Sequence, residues 1–282
     1  MKISVDDAYQ YCLILAKQHY ENFPVASVLL PSRLRKPIAA IYAFARTADD
    51  YADEEDKPKK VRLAKLDEWE QNLIACYNGQ AEHPIFIALS DTVSRFTIPL
   101  LLFQKLLHAF RTDVVKNRYN TWEELLEYCD NSANPIGRLL LHLFGYKDDD
   151  CQRSSDAICT ALQLTNFWQD LSIDIARNRL YIPRLEIERF HCSEDSILQM
   201  EFTPAFRQLM EHIVEHTQNI FDEGKPLLHR VRYPLSLELK LTWLAGTEIL
   251  ALIREQKFNT FQKRPVIHKS TFVSILFRSF FI

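Results

Sequence analysis

Along nearly the whole chain, apolar residues recur at i, i+3, i+4 and i+7, the period of an amphipathic helix, and alternating β-branched runs are few. The pattern predicts helices over about 5–21, 33–54, 58–78, 83–95, 99–116, 121–144, 148–176, 194–201, 203–224 and 234–256, with no sheet and no internal repeat. An all-α fold follows, read as a single domain over residues 1–282, with an apolar tail over 268–282.

Punctuation supports several of these starts. Pro31-Ser32 precedes the second helix, and Thr121 followed by Glu124 is a capping-box pattern. Pro135 falls inside the 121–144 segment, where a missing N–H and a ring clash predict a kink. The apolar stretch from Phe272 to Ile282 is too short for the ~20 residues a membrane span needs. It is instead expected to form an interfacial helix on a membrane, with Lys269 and Arg278 at headgroup level, or to pack on the core.

Composition narrows the classes. A hydrophobic share of 47% with 25% charged residues suits a globular chain with an ample core, and a net charge of −3 argues against a nucleic-acid partner. Only five glycines occur, none in a phosphate-cradling loop, so any phosphate must be held by side chains. The six cysteines form no C-x-x-C pair, which suggests neither a zinc site nor disulfides. Asp6 and Asp7 interrupt any export signal at once, so a cytoplasmic protein is expected.

Chemistry gathers at two acidic clusters. In Arg46-Thr47-Ala48-Asp49-Asp50-Tyr51-Ala52-Asp53, Asp49 and Asp53 stand at i and i+4 on one helix face, near a C-terminal end where the helix dipole disfavours negative charge. A hard divalent cation would offset them; a solvated helix end is the plainer reading, and is preferred for Glu54, Glu55 and Asp56. Further on, Gln163, Asn166, Asp170 and Asp174 form a polar stripe amid Leu162, Leu164, Phe167, Trp168, Leu171 and Ile173. Carboxylates in apolar surroundings are costly unless paired or metal-bound, so this stripe points to Mg²⁺ more strongly, with an ion pair to Arg153 or Arg177 as the alternative.

Arg177, Arg179 and Tyr181 follow directly, and Arg46 lies beside the first cluster, each suited to phosphate oxygens. Two acidic faces with nearby arginines suit a diphosphate bridged by metal ions. Phe23, Tyr42, Phe44, Tyr128, Phe167 and Trp168 are aromatic candidates for an apolar cavity in which ring faces stabilise a cation.

These residues resemble the squalene and phytoene synthase family, with Asp49-Asp50-x-x-Asp53 as its first aspartate motif and Asn166-x-x-x-Asp170-x-x-x-Asp174 as its second. His19-Tyr20-Glu21-Asn22-Phe23-Pro24, Ala40 through Arg46, Tyr128-Cys129, Gly137 and Arg179-x-Tyr181-Ile182-Pro183 fall in the family's order, so the match spans nearly the whole chain. His19 to Pro24, Asn131 to Arg138 and Asn166 to Asp170 look like the bacterial hydroxysqualene synthase branch of hopanoid biosynthesis.

The resemblance implies a single isoprenoid synthase helical bundle with a central apolar cavity. By it, Asp49, Asp50, Asp53, Asn166, Asp170 and Asp174 would hold Mg²⁺, as two or three ions, with no nicotinamide cofactor. Arg46 and Arg179 would bind diphosphate, and His19, Gln163, Asn166 and Tyr181 would join them around the substrate. Asp49, Asp53, Asp170 and Asp174, with Tyr128 lining the cavity, would be the catalytic set. Asn134, just before Pro135, is assigned to placing a water, since it has both donor and acceptor capacity; its alternative role is to satisfy a carbonyl freed by Pro135.

The implied reaction takes presqualene diphosphate and water to hydroxysqualene and diphosphate. Tyr20 and Asn22 replace serines common in the family, and Gln169 replaces an arginine common before Asp170. Both changes disfavour head-to-head condensation of two prenyl diphosphates, the alternative activity that would give presqualene diphosphate, squalene or phytoene. A catalytically silent helical scaffold is the alternative from outside enzymes, and the intact aspartates count against it.

Overall fold

The computed structural model describes residues 3–18 and 31–282, and among them every regular element is a helix; Arg118 and Leu180 form an isolated β-bridge. The all-α expectation holds. Two compact units are distinguished, Met1–Val115 with Pro135–Asp148, and Lys116–Asn134 with Asp149–Ile282.

The first unit contains α1 (Val5–Gln18), α2 (Ser32–Asp53), α3 (Lys59–Tyr77), α4 (Pro84–Phe96) and α5 (Leu100–Val115). After α6 (Trp122–Ser132), which belongs to the second unit, α7 (Asn134–Phe144) contributes all but its first residue to the first. Phe44 of α2 is fully buried and holds this core together. It stacks on Trp69 of α3 at 6.0 Å and meets Phe103 of α5 edge-on at 5.1 Å, while Trp69 Nε1 donates to the Phe44 carbonyl. Burying such a ring contributes about 1.5–3 kcal/mol. Ala39, Ala40, Ala43, Ala48 and Ala52 are buried along α2, so neighbouring helices approach its backbone closely and hold the end that carries the first aspartates.

The segment read as one kinked helix, 121–144, is two helices. α6 closes at Ala133 and α7 starts at Asn134, placing Pro135 in a first turn, where its missing N–H has no intrahelical partner to lose. Thr121 caps α6 as expected, accepting from the Glu124 N–H, and Glu124 Oε2 accepts from the Asn120 N–H.

The second unit holds α6 with α8 (Asp149–Gln169), α9 (Leu171–Ala176), α10 (Arg184–Arg189), α11 (Glu194–Leu198), α12 (Pro204–Gly224), α13 (Leu227–Arg230), α14 (Leu235–Glu255) and α15 (Lys269–Arg278). α8 packs against α6, α12 and α14. Two glycines set that closeness: a Cβ on Gly224 would lie 2.5 Å from Ile158 Cγ1 of α8, and one on Gly246 would lie 2.9 Å from Leu162 Cδ2 of α8 and 2.4 Å from Phe221 Cζ of α12. The predicted 148–176 helix breaks at Asp170 (φ −100°, ψ 13°), which separates α8 from α9.

Candidate active site

At the C-terminal end of α2, Arg46 Nη2 lies 2.6 Å from Asp50 and its Nη1 3.5 Å from Asp49, while Arg46 Nε is buried without a hydrogen-bond partner. The arginine offsets carboxylates that the helix dipole disfavours. Asp53, the last helical residue, is exposed. Glu54 departs from its expected role as a solvated side chain: Lys65 Nζ donates to both of its oxygens, at 2.5 and 2.7 Å.

The second cluster sits where α8 gives way to α9. Asp174 is pushed up to about 7, first by burial and next by the charge of Asp170; Arg179 and Arg177 pull it back. Asn178, in the left-handed region at φ 56°, turns the chain after α9, and the Arg179 N–H returns to the Asp174 carbonyl. Arg118 fastens this turn by donating to the Asn178 carbonyl at 2.7 Å and to its side-chain oxygen at 2.9 Å. Both arginines are thereby kept beside the carboxylates.

Asp170 is also held from far along the chain by Arg264, which forms a bidentate ion pair, closing Nε on Oδ1 and Nη2 on Oδ2. Of the two ion-pair partners expected for this stripe, Arg177 lies near enough to Asp174 to pull its pKa down, whereas Arg153 pairs with Asp150 at the opposite end of α8, beside a surface cavity of about 270 Å³ that Arg230 also lines. Gln169 is buried and donates through Nε2 to the Pro265 carbonyl at 2.6 Å, so it holds the Arg264 segment down. Sequence reading missed Arg264, because no local spacing marks a partner 94 residues away.

An aromatic wall adjoins these carboxylates within the second unit. Phe167 stacks on Tyr181 with ring centroids 3.7 Å apart and planes at 8°, Tyr119 stacks on the same tyrosine at 5.7 Å, and Tyr128 lies 6.1 Å from both Phe167 and Tyr181. All four rings are buried. Of the expected aromatics, Tyr128 and Phe167 are thus brought together. Phe44 belongs to the first unit's core, Tyr42 is half-buried there, and Trp168 is fully buried with its indole N–H on Thr217. Tyr119 was not anticipated; it faces Tyr181 because the Arg184 N–H bonds to the Tyr119 carbonyl and Leu180 N–H to that of Asn117.

Asn134 is buried, and its side-chain oxygen accepts from Thr160 at 2.9 Å while Nδ2 reaches Asp130 at 3.4 Å. Its donor is therefore directed at a carboxylate, and not at a carbonyl freed by Pro135. Gln163 is half-buried and Asn166 exposed on α8. His19 and Phe23, with Tyr20 and Asn22, lie outside the described residues.

Among the described residues no three His, Cys, Asp or Glu side chains converge as a metal cage. What the second cluster offers is a repelling pair, and Mg²⁺ is typically held by one or two carboxylates with waters and phosphate oxygens completing its shell. The donor set fits that ion.

A family model for squalene/phytoene synthase matches residues 16–271. The chain belongs to the squalene/phytoene synthase family. Its relatives in that family divide between products. It is 33% identical over 236 residues to hydroxysqualene synthase of Rhodopseudomonas palustris, covering 83% of this chain and 80% of that one. It is 27% identical over 280 residues to 15-cis-phytoene synthase of Synechococcus elongatus, covering 94% and 89%. The crystal structure of squalene synthase HpnC from Alicyclobacillus acidocaldarius superimposes with a TM-score of 0.86 at 40% identity, over 90% of this chain and 96% of that one. The squalene/phytoene synthase resemblance drawn from the two motifs is thus borne out, and with it an isoprenoid-synthesising activity.

Proposed function

We propose that this chain acts in the cytoplasm as one isoprenoid synthase domain and converts presqualene diphosphate and water to hydroxysqualene and diphosphate. The observation that carries this choice is Gln169, which stands where the family commonly has an arginine and is buried with its amide committed to the Pro265 carbonyl. It offers nothing to a second diphosphate. The similarity to a hydroxysqualene synthase supports the same reading.

Asp49, Asp50, Asp53, Asn166, Asp170 and Asp174 would hold Mg²⁺, which when bound supplies the positive charge that a departing diphosphate requires. Arg46 and Arg179, with His19, Gln163 and Tyr181, bind the diphosphate oxygens. As the bond to the cyclopropylcarbinyl carbon breaks, the three-membered ring opens to an allylic cation. The buried faces of Tyr128, Phe167 and Tyr181 stabilise that charge and exclude bulk water. One water, oriented by Asn134, adds to the cation and gives up a proton to the departed diphosphate.

Head-to-head condensation is the second reading, favoured by the phytoene synthase similarity over nearly the whole chain. Incubating the purified protein with Mg²⁺ and either presqualene or farnesyl diphosphate, and identifying products by mass spectrometry, separates the two. Hydroxysqualene from presqualene diphosphate, with farnesyl diphosphate left intact, is expected. Consumption of farnesyl diphosphate to a condensed product overturns the proposal.

A further inference from the structure

Helix α15 has two unlike faces. Ile275 is fully buried and Ser279 nearly so, against α14, where Arg278 pairs with Glu248 at 2.9 Å. The opposite side presents Phe272, Val273, Leu276, Phe277, Phe280 and Phe281 to solvent, with Phe277 67% and Phe281 75% exposed. Their spacing, steps of one and three residues in alternation, draws a single apolar stripe along the helix and the turn that continues it. Soluble chains rarely leave so many large apolar groups together in water.

The charge around the stripe says what covers it. Residues 256–282 contain Lys257, Lys263, Arg264, Lys269 and Arg278 and no Asp or Glu, leaving −8 on the rest of a chain whose total is −3. Arg264 and Arg278 are paired to Asp170 and Glu248, while Lys263 and Lys269 are exposed on the approach to the helix. A second copy meeting this face by two-fold symmetry would set one basic segment against the other. Ten helical residues, ~15 Å long and ~10 Å across, also present a face of only roughly 150 Å², short of the ~800 Å² per partner that a stable interface needs. An anionic bilayer surface supplies both an apolar layer for the phenylalanines and negative headgroups for the lysines.

We propose that the outer face of α15 seats this protein on the surface of an anionic lipid bilayer. The inference goes beyond the reaction and does not depend on it. The helix lies in the interface plane, with the phenylalanine stripe at the acyl boundary and Lys263 and Lys269 among the headgroups.

Flotation of the full chain with vesicles of phosphatidylcholine alone, or mixed equally with phosphatidylglycerol, tests this. The wild type is expected to float with the mixed vesicles. Joint Phe272→Ser, Phe277→Ser and Phe281→Ser substitution should weaken that binding at least about tenfold without loss of helicity. Joint Lys263→Gln and Lys269→Gln substitution should reduce it toward the level on phosphatidylcholine alone, as added salt should for the wild type. Absence of wild-type binding, or equal binding by the serine variant, overturns the proposal. So does a serine variant that alters only the oligomeric mass in the absence of vesicles, which would make the face a protein interface.

Discussion

Arg264 closes on both carboxylate oxygens of Asp170 across 94 residues of sequence, so the second aspartate motif already carries a cation of the chain's own. The guanidinium and a metal ion would draw on the same oxygens. Exposed pairs of this kind contribute no more than about 1 kcal/mol. Arg264→Gln is therefore expected to tighten Mg²⁺ binding to the substrate-free protein by no more than about fivefold, measured by titration calorimetry. Unchanged or weaker binding would show that the pair does not compete with the ion.

Asp49→Asn and Asp170→Asn should each lower turnover at least about a hundredfold while helicity by circular dichroism is retained, because each removes a proposed metal ligand and no packing group. Full activity of either variant at ordinary Mg²⁺ would remove that motif from the assignment.

Asp174 makes a prediction with opposite signs for stability and catalysis. Burial and Asp170 raise its folded pKa above the ordinary carboxylate value, to about 7. A group raised in this way contributes stability that is complete below the unfolded pKa near 4 and is lost as pH rises through the folded value. Metal-free Asp174→Asn should thus be more stable than the wild type at pH 8, on the order of 2 kcal/mol by denaturant melts, with the gain vanishing toward pH 4. The same variant should be inactive. Mg²⁺ should stabilise the wild type more at pH 8 than at pH 5.

Asn134 and Thr160 share a buried hydrogen bond, and removing either partner strands the other. Each alanine substitution is expected to cost about 1–3 kcal/mol, and the double variant distinctly less than their sum. Additive losses would mean that the bond contributes little. Loss of hydroxysqualene to other alcohols or alkenes in Asn134→Ala, at unchanged consumption of presqualene diphosphate, would support its role in placing water.

Most of the fold was legible because long amphipathic helices carry their period in every turn, and α1 to α5, α12 and α14 lie within a few residues of the positions read from it. The errors cluster where tertiary bonds override that period. One continuous pattern runs through Asp170, yet the chain turns there, placing α8 and α9 in separate pieces. Helices α10 and α13, of six and four residues, are too short to show a period at all. In the site, the aspartates and Phe167 follow from local spacing. Arg264 on Asp170 and Tyr119 against Tyr181 do not, since each is placed by backbone or side-chain bonds between segments far apart in sequence.

The turn at Asp170 has a further consequence. Because the break falls at Asp170, Asp174 stands one turn into α9, its N–H on the Asp170 carbonyl, and not on α8, the helix that the glycine-tight contacts hold against α12 and α14. A residue inserted or deleted between the two aspartates would rotate Asp174 by about 100° without disturbing those contacts. Natural or laboratory variation can therefore retune the spacing of these charges while the bundle that carries them keeps its packing.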